Sequence, residues 1–284
     1  MNDADKKTPF TPFKVALVQL NSSDNMDENI STITGFVREG AGMGADVVLL
    51  PENSSMMTFG RENILKNARN ENNHPAIAAL GDLARELKIW LHGGTFAIKV
   101  NDNASGAPLV NRTIVFSPDG KIAQRYDKIH MFDVDLSENE SYRESETFRP
   151  GTKSALLDLP WGNMGLTTCY DVRFPHLYRR LANSGADFFA VPAAFTETTG
   201  KAHWHVLLRA RAIENGCFVF APAQCGTHPG NRKTFGHSLV VDPWGQVLGD
   251  GGEAPGVVMA TIDMRAVALA RSKVPSLRNE QPFE

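Results

Sequence analysis

Several features are scarce in these 284 residues, and each scarcity excludes something. There are only three cysteines, Cys169, Cys217 and Cys225, unevenly spaced. That rules out a disulfide framework and suits a reducing cytosol, where a thiol stays free for chemistry. Net charge is low, at −3, so a polyanionic partner such as nucleic acid is not expected. No apolar run approaches the ~20 residues of a membrane helix. The polar stretch Met1–Pro12 has no apolar signal core and reads as a loose tail. Asn-x-Ser/Thr triplets at Asn29, Asn53 and Asn111 carry no meaning without secretion. No Ser/Gly/Pro-rich linker or shift in composition interrupts the chain, which predicts one domain over 13–284 behind a tail over 1–12.

What is present is an ordinary globular composition, 42 % apolar and 21 % charged, with strand and helix signals in alternation. Strands are expected at Phe13–Leu20, Asp46–Leu50, Ile89–Ile98, Asp187–Val191, Phe218–Ala223 and His237–Val241. Helices are expected from Met26, from Pro75 to Lys88, from about Phe174, and from a Thr199 cap to Gly216 with Val206, Ala210 and Ile213 on its buried face. Ser117-Pro118-Asp119-Gly120 and Pro160-Trp161-Gly162-Asn163 are turns between strands, and another begins at Pro243. Crossovers mixed with hairpins imply an α/β protein whose mixed sheet is covered by helices. Periodicity leaves open whether there is one sheet or two.

Three segments share a format in which an apolar strand runs into a reactive residue. They are Val47-Val48-Leu49-Leu50-Pro51-Glu52, Gln124-Arg125-Tyr126-Asp127-Lys128 and Gly165-Leu166-Thr167-Thr168-Cys169. Ligands collect at strand ends in such sheets, so the three groups are candidates for one pocket. The chemistry is coherent. A thiol attacks carbonyl carbon as thiolate and needs a base, a role for Glu52 if burial raises its pKa. Lys128 and the helix N-terminus after Cys169 would favour the thiolate and the oxyanion, with the Tyr170 backbone N–H as second donor. Taken singly, each residue also has an ordinary reading as loop carboxylate, surface lysine or buried small hydrophobe.

Together and in this order, the segments resemble the nitrilase, or carbon–nitrogen hydrolase, superfamily, with its Glu-Lys-Cys triad. The resemblance runs from about Phe13 to Asp263. Cys169-Tyr170-Asp171-Val172-Arg173-Phe174-Pro175, Pro192-Ala193-Ala194-Phe195-Thr196, Leu207–Glu214, Ala223-Gln224-Cys225-Gly226 and Gly236-His237-Ser238 look like the branch of deaminated-glutathione amidases and omega-amidases. The resemblance implies an α-β-β-α sandwich, paired into at least a homodimer, and a cytoplasmic enzyme acting on a small-molecule amide without metal or organic cofactor. It makes Glu52 the general base, Lys128 the oxyanion stabiliser and Cys169 the nucleophile, with Glu144 orienting the lysine and the water. Amide attack would leave a thioester on Cys169 and release ammonia. Phe195 and Thr196 become substrate-binding candidates. Arg173 has two readings, a fork onto a substrate carboxylate or a salt bridge with Asp171, and the branch favours the first. Alternatives are an omega-amidase acting on α-ketoglutaramate, an N-carbamoyl amidohydrolase, and a silent binding member of the family.

One departure stands out. Relatives in this branch carry glutamate after the tryptophan of the His-Trp-x-Val-Leu-Leu segment, where this chain has His205, facing either pocket or dimer seam. The run Gly40-Ala41-Gly42-Met43-Gly44-Ala45 precedes a strand and reads as a helix end, not a dinucleotide loop. His203 and His205 lie too close for i, i+4 metal ligation, so no zinc site is expected there. Cys217 reads as core. Cys225 is either an inert loop thiol or a pocket neighbour, and His130 and His237 are structural histidines.

Overall fold

A computed structural model describes residues 11–100, 108–138 and 140–282. Of the tail expected over 1–12, residues 1–10 lie outside the described residues. In chain order the strands are β1 (Phe13–Gln19), β2 (Val47–Leu49), β3 (Trp90–Lys99), β4 (Leu109–Phe116), β5 (Ile122–Asp127), β6 (Asp133–Ser137), β7 (Glu140–Arg143), β8 (Ala155–Leu159), β9 (Gly162–Leu166), β10 (Phe188–Ala190), β11 (Phe218–Ala221), β12 (Cys225–Thr227), β13 (Lys233–Phe235), β14 (Leu239–Val241), β15 (Val247–Asp250) and β16 (Gly256–Ile262). The helices are α1 (Met26–Gly42), α2 (Arg61–Asn67), α3 (Pro75–Leu87), α4 (Pro175–Asn183), α5 (Glu197–Asn215) and α6 (Arg265–Lys273).

Two six-stranded sheets form, ordered β16-β1-β2-β3-β4-β5 and β15-β14-β11-β10-β9-β8. Each has a parallel trio, β1-β2-β3 or β9-β10-β11, flanked by antiparallel neighbours. Side chains alternate across each strand, so each sheet has two apolar faces. Val15, Leu17, Val47 and Leu49 of the first sheet meet Met164, Leu166, Phe188, Phe218 and Phe220 of the second in a buried layer between them. The alternate residues Ala16, Val18 and Val48 pack outward on Ile33 and Val37 of α1 and Leu80 and Ala84 of α3. Phe189, Val219 and Val241 likewise pack on Leu181 of α4 and Trp204, Leu208 and Ala212 of α5. The result is a four-layer α-β-β-α sandwich.

Helix ends follow local chemistry. The Asn25 side chain accepts the N–H groups of Asp27 and Glu28 at the start of α1. Pro75 opens α3, and Lys88 ends it in the left-handed region. In α5 two expectations need correction. The cap is Thr196, whose hydroxyl accepts the Thr199 N–H, and the buried stripe carries Trp204, Leu208, Ala212 and Asn215. Val206 and Ile213 instead face outward, 65 % and 50 % exposed. Both stripes have helical spacing, and periodicity alone does not say which one meets the sheet.

Candidate active site

The three strand ends converge on a cavity of about 450 Å³ between the sheets' edges. Glu52 follows β2 in a turn that presses against a bulge in β3. Gly94 makes that approach possible, at φ +71°, since a Cβ there would fall 2.0 Å from the Pro51 carbonyl oxygen. Lys128 follows β5, its N–H donating to the Asn111 carbonyl at 2.9 Å and its own carbonyl accepting from Gly151 at 2.8 Å. Cys169 opens a short 3-10 helix, Cys169–Arg173, with a left-handed φ of +46°. Its N–H donates to the Pro192 carbonyl at 3.0 Å. Thr168 and Asp171 close a reciprocal capping box around the turn. Asp171 is fully buried and also accepts from the Tyr126 hydroxyl at 2.7 Å and the His130 N–H at 3.1 Å, which anchors the strained turn at Cys169.

The side chains form one buried network. The Lys128 ammonium donates to Glu52 Oε1 at 3.1 Å and to both Glu144 oxygens, at 3.0 and 2.7 Å. Asn111 Nδ2 bridges the same two carboxylates, 3.0 Å from Glu52 and 3.3 Å from Glu144. Glu52 Oε2 accepts the Ala194 N–H at 2.9 Å, and Glu144 Oε2 accepts that of Phe132 at 2.6 Å. The Cys169 thiol lies close enough to Glu52 for each to shift the other's ionisation. As a residue of the helix's first turn, Tyr170 has an N–H without a carbonyl partner inside the helix.

The electrostatics depart from expectation. Burial alone would raise the Glu52 carboxyl, but the Lys128 ammonium, the Cys169 thiol, the Ala194 N–H and Arg232 outweigh it and hold it below its ordinary 4.5. Glu52 is therefore lowered, not raised, and stands ionised at neutral pH. Burial pushes the Cys169 thiol well up, and the Glu52 charge pushes it further, against Lys128. Lys128 is raised because the charges of Glu144 and Glu52 exceed the cost of its burial. Cys169 therefore stands as a protonated thiol beside an ionised carboxylate.

The other expected residues divide. Tyr170 and Phe195 line the cavity, as does Glu144. Thr196 does not; its hydroxyl is committed to the start of α5. Arg173 is also outside the cavity lining, its guanidinium 5.1 Å from the Phe195 ring and 5.9 Å from that of Tyr170, with Nη1 3.3 Å from His203. The salt bridge considered between Arg173 and Asp171 is replaced by the His130 contact to Asp171 at 2.6 Å. His205 faces Asp250 and His237, away from the cavity. Cys217 and Cys225 are buried, unpaired thiols that burial raises to about 12 and 11.

Three contributors went unnoticed in the sequence. Asn111 was visible only as a triplet, although a polar residue amid the apolar run LVNRTIVF was a usable signal. Ala194 acts through its backbone and leaves no side-chain signal. Arg232 lies in the cavity wall with its guanidinium 5.1 Å from both the Phe59 and Tyr142 rings, and Nη2 donating to the Ala194 carbonyl at 2.9 Å. Its Nε is buried without a partner.

Comparison with known proteins identifies the family. Residues 14–272 match the carbon–nitrogen hydrolase family model. The chain is 36 % identical to the deaminated glutathione amidase of Yersinia enterocolitica, covering 94 % of this chain and 92 % of that one. It is 34 % identical to human omega-amidase NIT2, covering 96 % of each. Among solved structures, the C. elegans NitFhit protein superposes with a TM-score of 0.88 at 32 % identity, over 96 % of this chain and 66 % of that one. Yeast Nit3, a member of branch 10 of the nitrilase superfamily, does so at 0.83 and 31 %, over 96 % and 97 %. This chain thus belongs to the carbon–nitrogen hydrolase family of the nitrilase superfamily, and is a cysteine amidase.

Proposed function

We propose that this amidase hydrolyses glutathione that has lost its α-amino group, by a thioester mechanism on Cys169. The observation carrying the mechanism is that the Cys169 thiol shares the cavity wall with a buried Glu52 carboxylate that Lys128 Nζ contacts at 3.1 Å. Glu52 takes the thiol proton as sulfur bonds to the amide carbon. The carbonyl π-electrons move onto oxygen, where Lys128 and the Tyr170 N–H stabilise the charge. Glu52 returns the proton to nitrogen, the C–N bond breaks, and the amine leaves a thioester behind. Glu52 then deprotonates water, which adds to the thioester. Collapse breaks the C–S bond, re-forms the thiol and frees the acid. Because the thiol and base start as a neutral–anion pair, proton transfer accompanies attack instead of preceding it. Glu144 and Asn111 hold Lys128 and Glu52 in place.

The leaving group differs from the ammonia expected from sequence. In glutathione the γ-carbonyl is bonded to the cysteinyl nitrogen, so loss of the α-amino group leaves that amide intact. With an oxo group in place of that amine, its hydrolysis yields 2-oxoglutarate and cysteinylglycine; ammonia comes only from a primary amide such as α-ketoglutaramate. A cavity of about 450 Å³ has room for a dipeptide leaving group beside the acyl chain. Arg232, the arginine that lines the cavity beside Phe59 and Tyr142, is the carboxylate anchor in this reading, and Arg173 lies against the Phe195 ring outside the lining. The exposed Val206–Ile213 stripe of α5, beside exposed Trp244, is the seam of the proposed homodimer.

The test offers purified protein deaminated glutathione and α-ketoglutaramate, reading 2-oxoglutarate, free amine and ammonia, with Cys169→Ala as control. Faster 2-oxoglutarate release from the first substrate, with no ammonia and at least ~10⁴-fold loss in the control, is expected. A preference for α-ketoglutaramate with ammonia release would establish the omega-amidase reading instead. Arg232→Met should raise KM for either acid about 10–100-fold while sparing a neutral amide. Equal loss on both would remove Arg232 as the anchor.

A further inference from the structure

Away from the cavity, three side chains from three elements meet at one point. His205 Nε2 on α5 lies 3.0 Å from Asp250 Oδ2 at the end of β15, and His237 Nδ1, just before β14, lies 2.8 Å from Asp250 Oδ1. All three donor atoms fall within 4.8 Å of one another, the one such convergence of His, Cys, Asp or Glu among the described residues. From these contacts we propose a binding site for a divalent transition-metal ion, zinc being the best fit, held by His205, His237 and Asp250.

Two imidazoles and one carboxylate form a donor set that borderline first-row ions accept, and partial exposure of all three leaves a fourth position for water. The ligands are already oriented. The His237 ring stacks on Phe235, with centroids 4.4 Å apart and planes 24° from parallel. Asp250 Oδ1 also accepts the Gly252 N–H at 2.9 Å, which fixes the carboxylate as outer partners do in metal sites. The His237 backbone is held at a left-handed φ of +54° by its own N–H to the Gly252 carbonyl, at 2.7 Å, and by the Trp204 indole N–H to its carbonyl, at 2.8 Å. Tetrahedral zinc needs donor separations of about 3.3 Å, reached by small rotations of these rim side chains. To bind, each imidazole presents a lone pair on the nitrogen that faces Asp250, with its ring proton on the other nitrogen. His203, the neighbour two residues away, turns to Arg173 and takes no part.

An ion here would pin α5 to the β14–β15 hairpin. Trp204, which packs at 5.0 Å against Phe195 of the cavity wall, would be fixed with it. The test is Zn²⁺ titration of the full-length Cys169→Ala protein by calorimetry, with Co²⁺ absorption as a second readout. One equivalent binding in the micromolar range is expected, with a Co²⁺ spectrum lacking thiolate charge transfer and a Tm raised by a few degrees. His205→Gln keeps a donor for Asp250, so the fold survives while affinity falls at least 30-fold; Asp250→Asn should match it, and His203→Ala should change nothing. Absence of binding, binding undiminished in His205→Gln, or equal loss in His203→Ala would overturn the site.

Discussion

Two charge clusters lie on the same pair of strands, one residue apart, and behave differently. On one side of β4 and β5, Asn111 and Lys128 meet Glu52 and Glu144 inside the cavity. On the other, Arg112 is bonded to Asp127 at 2.7 and 2.9 Å and to Glu71 at 3.0 Å, and Glu71 is shared with Arg125 at 2.7 Å. The outer cluster is half-buried and balanced, two guanidiniums against two carboxylates. The inner one is buried and unbalanced, one ammonium against two carboxylates, with a thiol beside them that must lose a proton. The difference shows that ion pairing alone does not make a reactive site. What makes it is a charge left over where water is scarce, because each proton transfer there shifts the energy of every neighbour.

Breaking the inner cluster should have the largest effect. Lys128→Met removes an oxyanion donor and leaves two buried carboxylates facing one another. We expect kcat to fall about 10²–10³-fold and stability by roughly 3–5 kcal/mol, read by steady-state kinetics and by denaturant unfolding. A destabilised variant with near-parent kcat would mean that Lys128 is a structural counter-ion only.

A pH profile sharpens the contrast at intermediate scale. Glu52 is held below 4.5, mainly by Lys128 acting against burial, and the base form is the active one. The acid limb of kcat/KM should therefore lie below 4.5, with activity retained through pH 5 and 6 and lost only as Glu52 takes up a proton. In Lys128→Met the limb should move up, because burial then acts without its main opponent. An acid limb at pH 6–7 in the parent would show that burial wins over Lys128. The smallest effect belongs to the outer cluster. Arg112→Ala should cost about 1 kcal/mol of unfolding free energy and change kcat less than twofold. A loss of activity comparable to Lys128→Met would erase the distinction between the two faces.

Much of the fold was readable because local chemistry and packing agree in it. The parallel strands were apolar runs, and Pro75 and Gly216 mark helix ends with conformations that only the right residues adopt. In α5 the expected buried face of Val206, Ala210 and Ile213 and the expected Thr199 cap give way to Trp204, Leu208 and Ala212 and to Thr196, because helical spacing recurs around the helix and only packing selects the face that meets the sheet. The site followed the same rule. Glu52 and Cys169 stand out because each follows a buried strand, whereas Lys128 follows the polar strand Ile122–Asp127 and, like Glu144, is marked by the family resemblance. Arg232 had no such marker, since its partners Phe59, Tyr142 and Ala194 are distant in sequence.

By itself, then, the sequence determined which residues end the strands, and with that the thiol, base and cation available to the chemistry. It did so because strand periodicity and residue type are local properties. Tertiary structure alone decided that Glu52 is lowered and Cys169 raised, that Arg232 lines the cavity while Arg173 lies outside it against Phe195, and that His205 meets His237 and Asp250. Those outcomes depend on the burial and summed charge of groups tens to hundreds of residues apart, and only folding sets the distances between them.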